Sequence, residues 1–323
     1  MLEKCEKYIV DENERLDKYI SKKLEVSRNQ IESLVKKGLV KINGKIAKKG
    51  GIKVKLYDEI EVCFLQAEKK EGHKVDFDIE ILYEDDDILV INKPSGITVH
   101  PAPSVKEATV VDWLKKHGIS LSTLAGEERH GIVHRLDKET SGVMVIAKNN
   151  QSHENLSKQL QNKTMGRYYL AIIEPPLKEN VIVEKPIYRN PKNRLKMAIV
   201  PGGKYAKTAF CKIQTSFDGK FELIGAKLFT GRTHQIRVHL SSIGRHILGD
   251  SLYGFKSKNV KIDRVFLHAY ILYLEHPTTK KSLRFVAPLP KDMRDFLKKR
   301  FDWEKIDEKI LPDRFDKLFD FVS

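Results

Sequence analysis

Residues 134–147 have the sequence HRLDKETSGVMVIA, a polar and charged loop followed by an apolar run. The run from Gly142 to Ala147 is rich in β-branched residues, which is typical of a strand covered on both faces. If the residues before it are extended, the side chains of Arg135 and Asp137 point the same way. The pattern therefore predicts a carboxylate beside a cation on a loop anchored to the core, with an ordinary solvated ion pair as the alternative.

The composition of the chain favours a polyanionic partner. The chain has 323 residues, of which 41% are hydrophobic, enough for two domains with a sizeable core. Its 59 Lys and Arg residues against 44 Asp and Glu residues give a formal charge of +15, which is common in proteins that bind nucleic acid. No segment has the length of a membrane span, and the charged start lacks a secretory signal. We therefore expect a cytoplasmic protein without a membrane partner, and a monomer is the simplest expectation.

The cysteines and histidines do not form a recognisable metal motif. Cys5, Cys63 and Cys211 are odd in number and far apart, so we expect small buried residues rather than a disulfide framework or a zinc knuckle. Two histidine pairs, at 130 and 134 and at 234 and 239, lack the Glu of HExxH, and neighbouring arginines would repel a cation. We predict no metal. Nucleotide hydrolysis and hydride transfer also lack support, because neither GxxxxGK[ST] nor GxGxxG occurs.

The first part of the chain combines helical and strand patterns. Helical spacing predicts two short helices, the second beginning at a capping box at 27–30 and ending near Gly38. Alternating apolar residues at 40–42 and 52–56 predict strands, and Asn43 and Gly44 form a hairpin-turn signal. A small α+β unit therefore ends near residue 65.

The same part of the chain is strongly basic. Between residues 27 and 57, nine basic residues accompany a single acidic one, Glu32. Because the segment is predicted to fold, these charges would share one small surface, which favours phosphate contacts over a merely solvated face. From about Glu12 to Leu65 the chain resembles the S4 RNA-binding domain, which implies docking on structured RNA. The residues that we predict to bind RNA here are Arg28, Lys36, Lys37, Lys41 and Lys45.

The rest of the chain predicts a larger domain. Short alternating runs from residue 75 onward predict a mostly antiparallel mixed sheet with helices packed against it. We expect an α+β protein with an S4-like domain at 1–66, a polar linker at 67–74, a catalytic domain at 75–297 and a C-terminal extension at 298–323. The extension mixes aromatic and charged residues, which predicts amphipathic helices.

Five motifs occur in a fixed order along the chain. They are NKPSGITVHP (92–101), GIVHRLDKETSG (131–142), YLA (169–171), TGRTHQIRVH (230–239) and LGDSLYG (248–254). The series resembles the RluA superfamily of pseudouridine synthases and, with the S4-like domain, is most similar to the RluD type. The resemblance covers residues 12–297, and HRLDxxTSG followed by GRTHQIRVH is its most specific part.

The resemblance implies isomerisation of uridine to pseudouridine in RNA, with the base flipped out and no cofactor or metal. Asp137 matches the catalytic aspartate of the family, and Arg237 matches the arginine that pairs with it and keeps it ionised. Arg135 matches the arginine that replaces the flipped base in the stack. Tyr169 matches the tyrosine that stacks on the base and helps remove the C5 proton. Two ordinary roles stay open, Tyr169 as a core aromatic and Arg237 as a phosphate contact.

The substrate is the weaker part of this prediction. The S4-like domain and the likeness to the RluD type favour large-subunit (23S) ribosomal RNA, either naked or in an assembling subunit. The alternatives are a transfer-RNA pseudouridine synthase and a non-enzymatic RNA-binding ribosome-assembly factor.

Overall fold

The structure, a computed structural model, describes residues 2–24, 28–65, 73–102, 105–124, 130–256 and 262–322. The chain divides into two compact units, Met1–Glu71 and Gly72–Ser323. Each unit combines helices with mostly antiparallel strands, so the protein has the predicted α+β fold. Among the described residues, no helix is both long enough and apolar enough to cross a bilayer.

The first unit is a small sheet covered by two helices. Its described elements are β1 (Leu2–Ile9), β2 (Glu14–Arg15), α1 (Leu16–Lys23), α2 (Arg28–Lys36), β3 (Val40–Ile42), β4 (Lys45–Ile46), β5 (Lys53–Val54) and β6 (Glu59–Leu65). The sheet has the order β1-β6-β3-β4, and β2 pairs with β5. Apolar residues of both helices, among them Ile20 and Ile31, are buried in one core cluster with Val62 of β6.

Most of the predicted features of this unit are present. Asn43 and Gly44 have positive φ angles of 48° and 77°, the geometry of the predicted tight turn. The prediction of a strand over 52–56 is wrong in extent, because only Lys53–Val54 pairs, and Leu56 is exposed. Ser27 of the predicted capping box lies outside the described residues.

The prediction of small buried cysteines without a disulfide holds for Cys211 but is wrong for Cys5 and Cys63. Cys5 and Cys63 lie directly opposite each other on the antiparallel strands β1 and β6, with Cα atoms 4.0 Å apart, and form a disulfide. Cys5 is exposed, whereas Cys63 and Cys211 are buried. This contact was not predicted because the two cysteines are 58 residues apart and no local pattern indicated strand β1 or its pairing with β6.

The second unit is built on a large sheet. Its described helices and strands are β7 (Glu80–Glu84), β8 (Ile88–Lys93), α3 (Val110–Lys116), β9 (Ser141–Ala147), α4 (Asn150–Asn162), β10 (Gly166–Glu174), β11 (Val181–Glu184), β12 (Ile187–Arg189), β13 (Met197–Ile199), β14 (Lys207–Thr215), β15 (Glu222–Leu228), α5 (Gln235–Ser241), β16 (His246–Ile247), β17 (Leu267–Glu275), β18 (Ser282–Val286), α6 (Lys291–Arg300), α7 (Trp303–Lys309) and α8 (Pro312–Phe315). The sheet has the order β11-β14-β15-β10-β17-β9-β8-β7, with β16 beside β10 and β18 beside β17.

Strand β9 lies inside this sheet, between β8 and β17. All seven of its residues are buried, which confirms the prediction of a strand covered on both faces. Gly142 has a φ of 118°, and a Cβ atom there would lie 2.1 Å from the carbonyl oxygen of Ala269 on β17. Only glycine therefore allows the loop that carries Asp137 to enter the sheet at this point.

The end of the chain packs on the same core. Phe301, Ile306, Phe315 and Phe319 belong to the main hydrophobic cluster of the second unit, as do residues of the sheet. The aromatic residues predicted to form amphipathic helices therefore cover the sheet through α7, α8 and the 3-10 helix Asp316–Val322.

Candidate active site

A cavity of about 320 Å³ lies over β10, where the Asp137 loop meets the segment that leads into α5. Among the described residues that line it, Asp137 is the only carboxylate, and the cations are Arg135, Arg167, Arg232 and Arg237. The volume suits a single nucleotide, and the four arginines create a positive potential for an anionic ligand. The cavity thus combines a single acidic group with attraction for polyanions.

Hydrogen bonds from Lys93 and Ser95 hold the backbone of the loop that carries Asp137. The Lys93 ammonium is fully buried and donates hydrogen bonds to the carbonyl oxygens of Pro94 (2.7 Å), Ile97 (2.9 Å) and Lys138 (3.2 Å). Ser95 Oγ donates to the carbonyl oxygen of Glu139 at 2.7 Å. Burial lowers the pKa of Lys93 to about 7, although the charges of Asp137 and Glu139 oppose this shift. The NKPSG motif therefore holds the backbone of the two residues that follow Asp137.

Arg237 contacts Asp137 but has a second, closer partner. Its Nη1 lies 3.5 Å from Asp137 Oδ2, whereas Nε and Nη2 donate to the two carboxylate oxygens of Asp250 at 2.7 and 2.8 Å. Burial disfavours the Arg237 cation, but the hydrogen bonds and charge of Asp250, with a smaller contribution from Asp137, raise the pKa of Arg237. Asp250 therefore orients the guanidinium so that its remaining edge faces Asp137.

His234 forms the other side of the Asp137 environment. Its Nε2 lies 3.9 Å from Asp137 Oδ2, and its Nδ1 lies 2.8 Å from the hydroxyl of Tyr253. That hydroxyl accepts a hydrogen bond from the Met197 amide and can donate its own proton to Nδ1, which leaves the proton of His234 on Nε2, toward Asp137. Burial lowers the pKa of His234, although the charge of Asp137 opposes this, so the ring is neutral at neutral pH.

Tyr169 lies in β10 and lines the cavity. Its side chain is 4% exposed, and burial raises the pKa of the phenol, which therefore keeps its proton at neutral pH. Arg167, two residues earlier, also lines the cavity, and its buried Nε has no hydrogen-bond partner among the described residues. A flat neutral ring next to an unsatisfied guanidinium is suited to a flipped base and its oxygen atoms.

The histidines considered as metal ligands have other contacts. The Thr208 hydroxyl lies 2.9 Å from His239 Nδ1, and His239 Nε2 donates to the carbonyl oxygen of Lys185. His134 Nε2 accepts a hydrogen bond from the Val145 amide, and burial lowers the pKa of His134 to about 3. These rings serve the packing around the cavity.

The structure brings the predicted residues Arg135, Asp137, Tyr169 and Arg237 together at one cavity. The sequence prediction missed the functions of Lys93, Asp250 and Arg167, and it considered His234 only as a metal ligand. Asp250 lies within the LGDSLYG motif, and this buried aspartate among small and apolar residues is the signal that could have identified it.

The predicted RNA-binding residues of the first unit differ in their contacts. Arg28 pairs with Asp17 at 3.0 Å, and Lys41 pairs with Glu61 at 2.7 Å. Lys36, Lys37 and Lys45 are exposed and make no ion pair within the described part of the chain. Of the five predicted residues, the three without an ion pair therefore lie at the end of α2 and at the Asn43–Gly44 turn.

Comparison with known proteins agrees with this geometry. Residues 87–242 match the family model described as RNA pseudouridylate synthase, and residues 14–60 match the S4 domain. A Helicobacter pylori protein named uncharacterized RNA pseudouridine synthase is 50% identical over 304 residues, which cover 92% of this chain and 93% of that protein. The chain belongs to the RNA pseudouridine synthase family.

Two further relatives refine the comparison. A Nitrosomonas europaea protein named ribosomal large subunit pseudouridine synthase D is 36% identical, over 88% of this chain and 83% of that protein. The structure of human RNA pseudouridylate synthase domain containing 1 has a TM-score of 0.53 and 25% identity, and it covers 65% of this chain and 83% of that chain. The protein is accordingly an isomerase of the pseudouridine synthase class with an S4 domain.

Proposed function

We propose that this protein isomerises specific uridines in large-subunit (23S) ribosomal RNA, in the cytoplasm and as a monomer. The likeness to a protein named ribosomal large subunit pseudouridine synthase supports the choice of RNA. The exposed lysines of the first unit supply a surface for a structured RNA. In this proposal residues 1–66 dock on the RNA, 67–74 link the domains, 75–297 perform the chemistry, and 298–323 complete the core.

We further propose that Asp137 is the catalytic residue. In the reaction the bond between C1′ and N1 breaks, a bond between C1′ and C5 forms, C5 loses its proton, and N1 gains one. Asp137 is the single carboxylate among the described residues that line the cavity, and its Oδ2 lies 3.5 Å from Nη1 of Arg237. An ionised carboxylate can attack the ribose or accept a proton. This juxtaposition carries the proposal.

The other residues would bind and orient the nucleotide. Tyr169 presents a neutral ring for stacking, and Arg135, exposed beside the cavity, replaces the flipped base in the RNA stack. Because burial raises the pKa of Tyr169, its phenol is a weak base at neutral pH. Removal of the C5 proton by Tyr169 would therefore require a lower pKa in the complex, and the charge of Arg167 acts in that direction.

The test of the substrate is a map of pseudouridine in the RNA of cells with and without this protein, complemented by the wild type or by Asp137→Ala. Loss of sites in large-subunit RNA that only the wild type restores is the expected result. Loss confined to transfer RNA would overturn the choice of ribosomal RNA. An unchanged map with normal RNA binding would instead support a non-enzymatic binding factor.

A further inference from the structure

The residues around the catalytic cavity lie on two halves of the large sheet, which meet where β9 pairs with β17. On one side lie β9, β8 and β7, and on the other lie β17, β10, β15, β14 and β11. Asp137 precedes β9, whereas Tyr169 lies in β10. Arg237 is held by Asp250, which follows β16, the short strand beside β10. The position of Asp137 relative to Tyr169 and Arg237 therefore depends on how the two halves are joined.

The pairing between β9 and β17 is short. These two parallel strands pair through Ser141 with His268 and through Gly142 with Ala269. From Ile271 to Glu275 the same edge of β17 pairs with β18 instead. Strands β9 and β18 are therefore two branches that diverge from one edge of β17, a junction that we call the fork. Because two residue pairs supply few backbone hydrogen bonds, a side-chain hydrogen bond at the fork is a substantial part of the connection.

His268 lies at the fork and contacts both branches. It is fully buried, its Nδ1 lies 2.9 Å from Ser141 Oγ, and its Nε2 lies 3.1 Å from the carbonyl oxygen of Ala287, which follows β18. Leu267, the preceding residue of β17, lines the catalytic cavity, and successive side chains of a strand point to opposite faces of the sheet. His268 therefore joins the two branches on the face away from the cavity, where it does not contact the nucleotide.

The direction of these hydrogen bonds is fixed. A carbonyl oxygen only accepts, so His268 Nε2 carries the ring proton and Nδ1 accepts a hydrogen bond from the Ser141 hydroxyl. Arg264 Nη1 lies 3.4 Å from the same hydroxyl oxygen and can only donate, which leaves the hydroxyl proton for His268. Burial lowers the pKa of His268 to about 4, so the ring is neutral at neutral pH.

The segment between Asp137 and Ser141 transmits a movement at the fork to the catalytic carboxylate. The Thr140 amide donates to the carbonyl oxygen of Asp137 at 3.1 Å, which closes a turn. Thr140 and Ser141 are both buried. Gly142, the next residue, lies so close to the backbone of β17 that no Cβ atom would fit. The backbone from Asp137 to Gly142 is therefore too constrained to absorb a shift of Ser141.

We infer that His268 is a positioning residue, which fixes Asp137 relative to the other half of the active site through the hydrogen bond from Ser141. Lys93 and Ser95 lie at the end of β8 and hold the Asp137 loop to its own half of the sheet. His268 instead joins this loop to the half that includes β10. The inference rests on the proposed role of Asp137 and not on the choice of ribosomal RNA.

The test compares two amide replacements of His268 in the full-length protein. The side-chain oxygen of asparagine can take the place of Nδ1, whereas the side-chain nitrogen of glutamine can take the place of Nε2. His268→Asn therefore keeps an acceptor for Ser141 and loses the donor to Ala287. His268→Gln keeps that donor and loses the acceptor. A merely structural role would give the two variants equal rates, because each loses one hydrogen bond.

The rate is measured as single-turnover tritium release from [5-³H]uridine-labelled RNA of cells that lack this protein, with the protein in excess. His268→Asn should react within about threefold of the wild type and His268→Gln at least about tenfold more slowly, since a displacement of about 1 Å at a reacting group costs about 100-fold. RNA affinity should be the same for all three proteins, because His268 faces away from the cavity.

Ser141→Ala removes the same hydrogen bond from the other side and leaves His268 in place. It should slow tritium release about as much as His268→Gln. The double variant Ser141→Ala/His268→Gln should be no slower than His268→Gln, because the two changes remove one interaction. In the Ser141→Ala background, His268→Asn should also lose its advantage over His268→Gln.

His276 offers a matched control at the other end of the same strand. It is buried, eight residues and about 26 Å along the strand from His268. Its Nε2 lies 2.8 Å from Asp85 Oδ2, and its Nδ1 accepts hydrogen bonds from the amides of Thr278 and Thr279. His276→Asn and His276→Gln should therefore destabilise the second unit and leave the rate of tritium release unchanged.

Three results would each overturn the inference. They are equal rates for His268→Asn and His268→Gln, slowing by His276→Gln as large as that by His268→Gln, and additive effects of Ser141→Ala and His268→Gln. Asp137→Asn in the same assay separates this failure from that of the proposed function. Tritium release by Asp137→Asn would overturn both, whereas an inactive Asp137→Asn with equal rates for the two His268 variants would overturn only the inference about His268.

Discussion

Replacement of Asp250 by Asn tests the claim that Asp250 orients the guanidinium of Arg237 toward Asp137. Asp250 is 1% exposed, and its carboxylate accepts hydrogen bonds from Nε and Nη2 of Arg237 at 2.7 and 2.8 Å. Asparagine is nearly the same size, but it removes the charge and offers an NH₂ group to one guanidinium nitrogen. Since a buried cation without its anion typically costs about 3–5 kcal/mol, we expect Asp250→Asn to lower the free energy of unfolding by about 3 kcal/mol.

The same change should reduce the rate of reaction. Without Asp250, the guanidinium has Asp137 as its remaining carboxylate partner in the structure, 3.5 Å away, and will shift toward it. A displacement of about 1 Å at a reacting group costs about 100-fold in rate. We therefore expect single-turnover pseudouridine formation to slow about 100-fold with little change in RNA affinity. Urea titration measures the first effect, and rapid quenching with excess enzyme measures the second.

Asp292→Asn is the matched control. Asp292 also accepts two hydrogen bonds from one arginine, Arg264, at 2.6 and 2.9 Å. Its side chain is 47% exposed, so the loss should be at most about 1 kcal/mol, with no change in rate. If Asp250→Asn were as stable and as active as Asp292→Asn, the argument that Asp250 orients Arg237 would be refuted.

Three further predictions concern the supports of the site and the first unit. Lys93→Met should slow the reaction and destabilise the second unit by about 1–3 kcal/mol, because buried carbonyl groups lose their hydrogen-bond donor. Lys148→Met, at a more exposed ammonium, is the control and should leave the rate unchanged. Equal single-turnover rates for the two variants would contradict this prediction. Replacing Lys36, Lys37 and Lys45 by Gln should reduce the slope of log RNA affinity against log salt concentration by about two to three, because three phosphate contacts are lost. An unchanged slope would mean that these lysines form a merely solvated surface. Hydrogen bonds from Arg15 and then Arg28 lower the pKa of Asp17 from 3.8 to about 2, so its stabilisation is present above pH 3.8 and is lost as the pH falls toward 2. Asp17→Asn should therefore remove part of the acid dependence of hydrogen exchange in the first unit, and an identical acid profile would contradict it.

Local patterns predicted the elements of the fold well where each residue interacts with near neighbours. The β-branched run in β9 and the Asn43–Gly44 turn appear as predicted, since burial on both faces and positive φ angles are properties of short segments. The Cys5–Cys63 disulfide was missed because it depends on a strand pairing across 58 residues. Such pairings depend on tertiary packing, which local sequence patterns do not predict.

The candidate site likewise contains residues that local motifs predicted and residues that only tertiary contacts reveal. Asp137, Arg135, Tyr169 and Arg237 were predicted because they occur in a specific ordered series of motifs, and all four line one cavity. Lys93 and Asp250 were not, because their importance comes from burial and from partners distant in sequence. Lys93 reaches the carbonyl oxygen of Lys138 across 45 residues, a contact that the strand-like pattern around Lys93 does not indicate.

The central claim, that Asp137 carries out the rearrangement, is tested most directly by release of tritium from C5 of uridine. RNA containing [5-³H]uridine at a site mapped in cells would be mixed with excess wild-type protein or excess Asp137→Asn, after equal RNA binding by the two had been shown. Wild type should release the label and form pseudouridine, and Asp137→Asn should do neither. Appreciable tritium release by Asp137→Asn, with RNA binding intact, would contradict the assignment of the chemistry to Asp137.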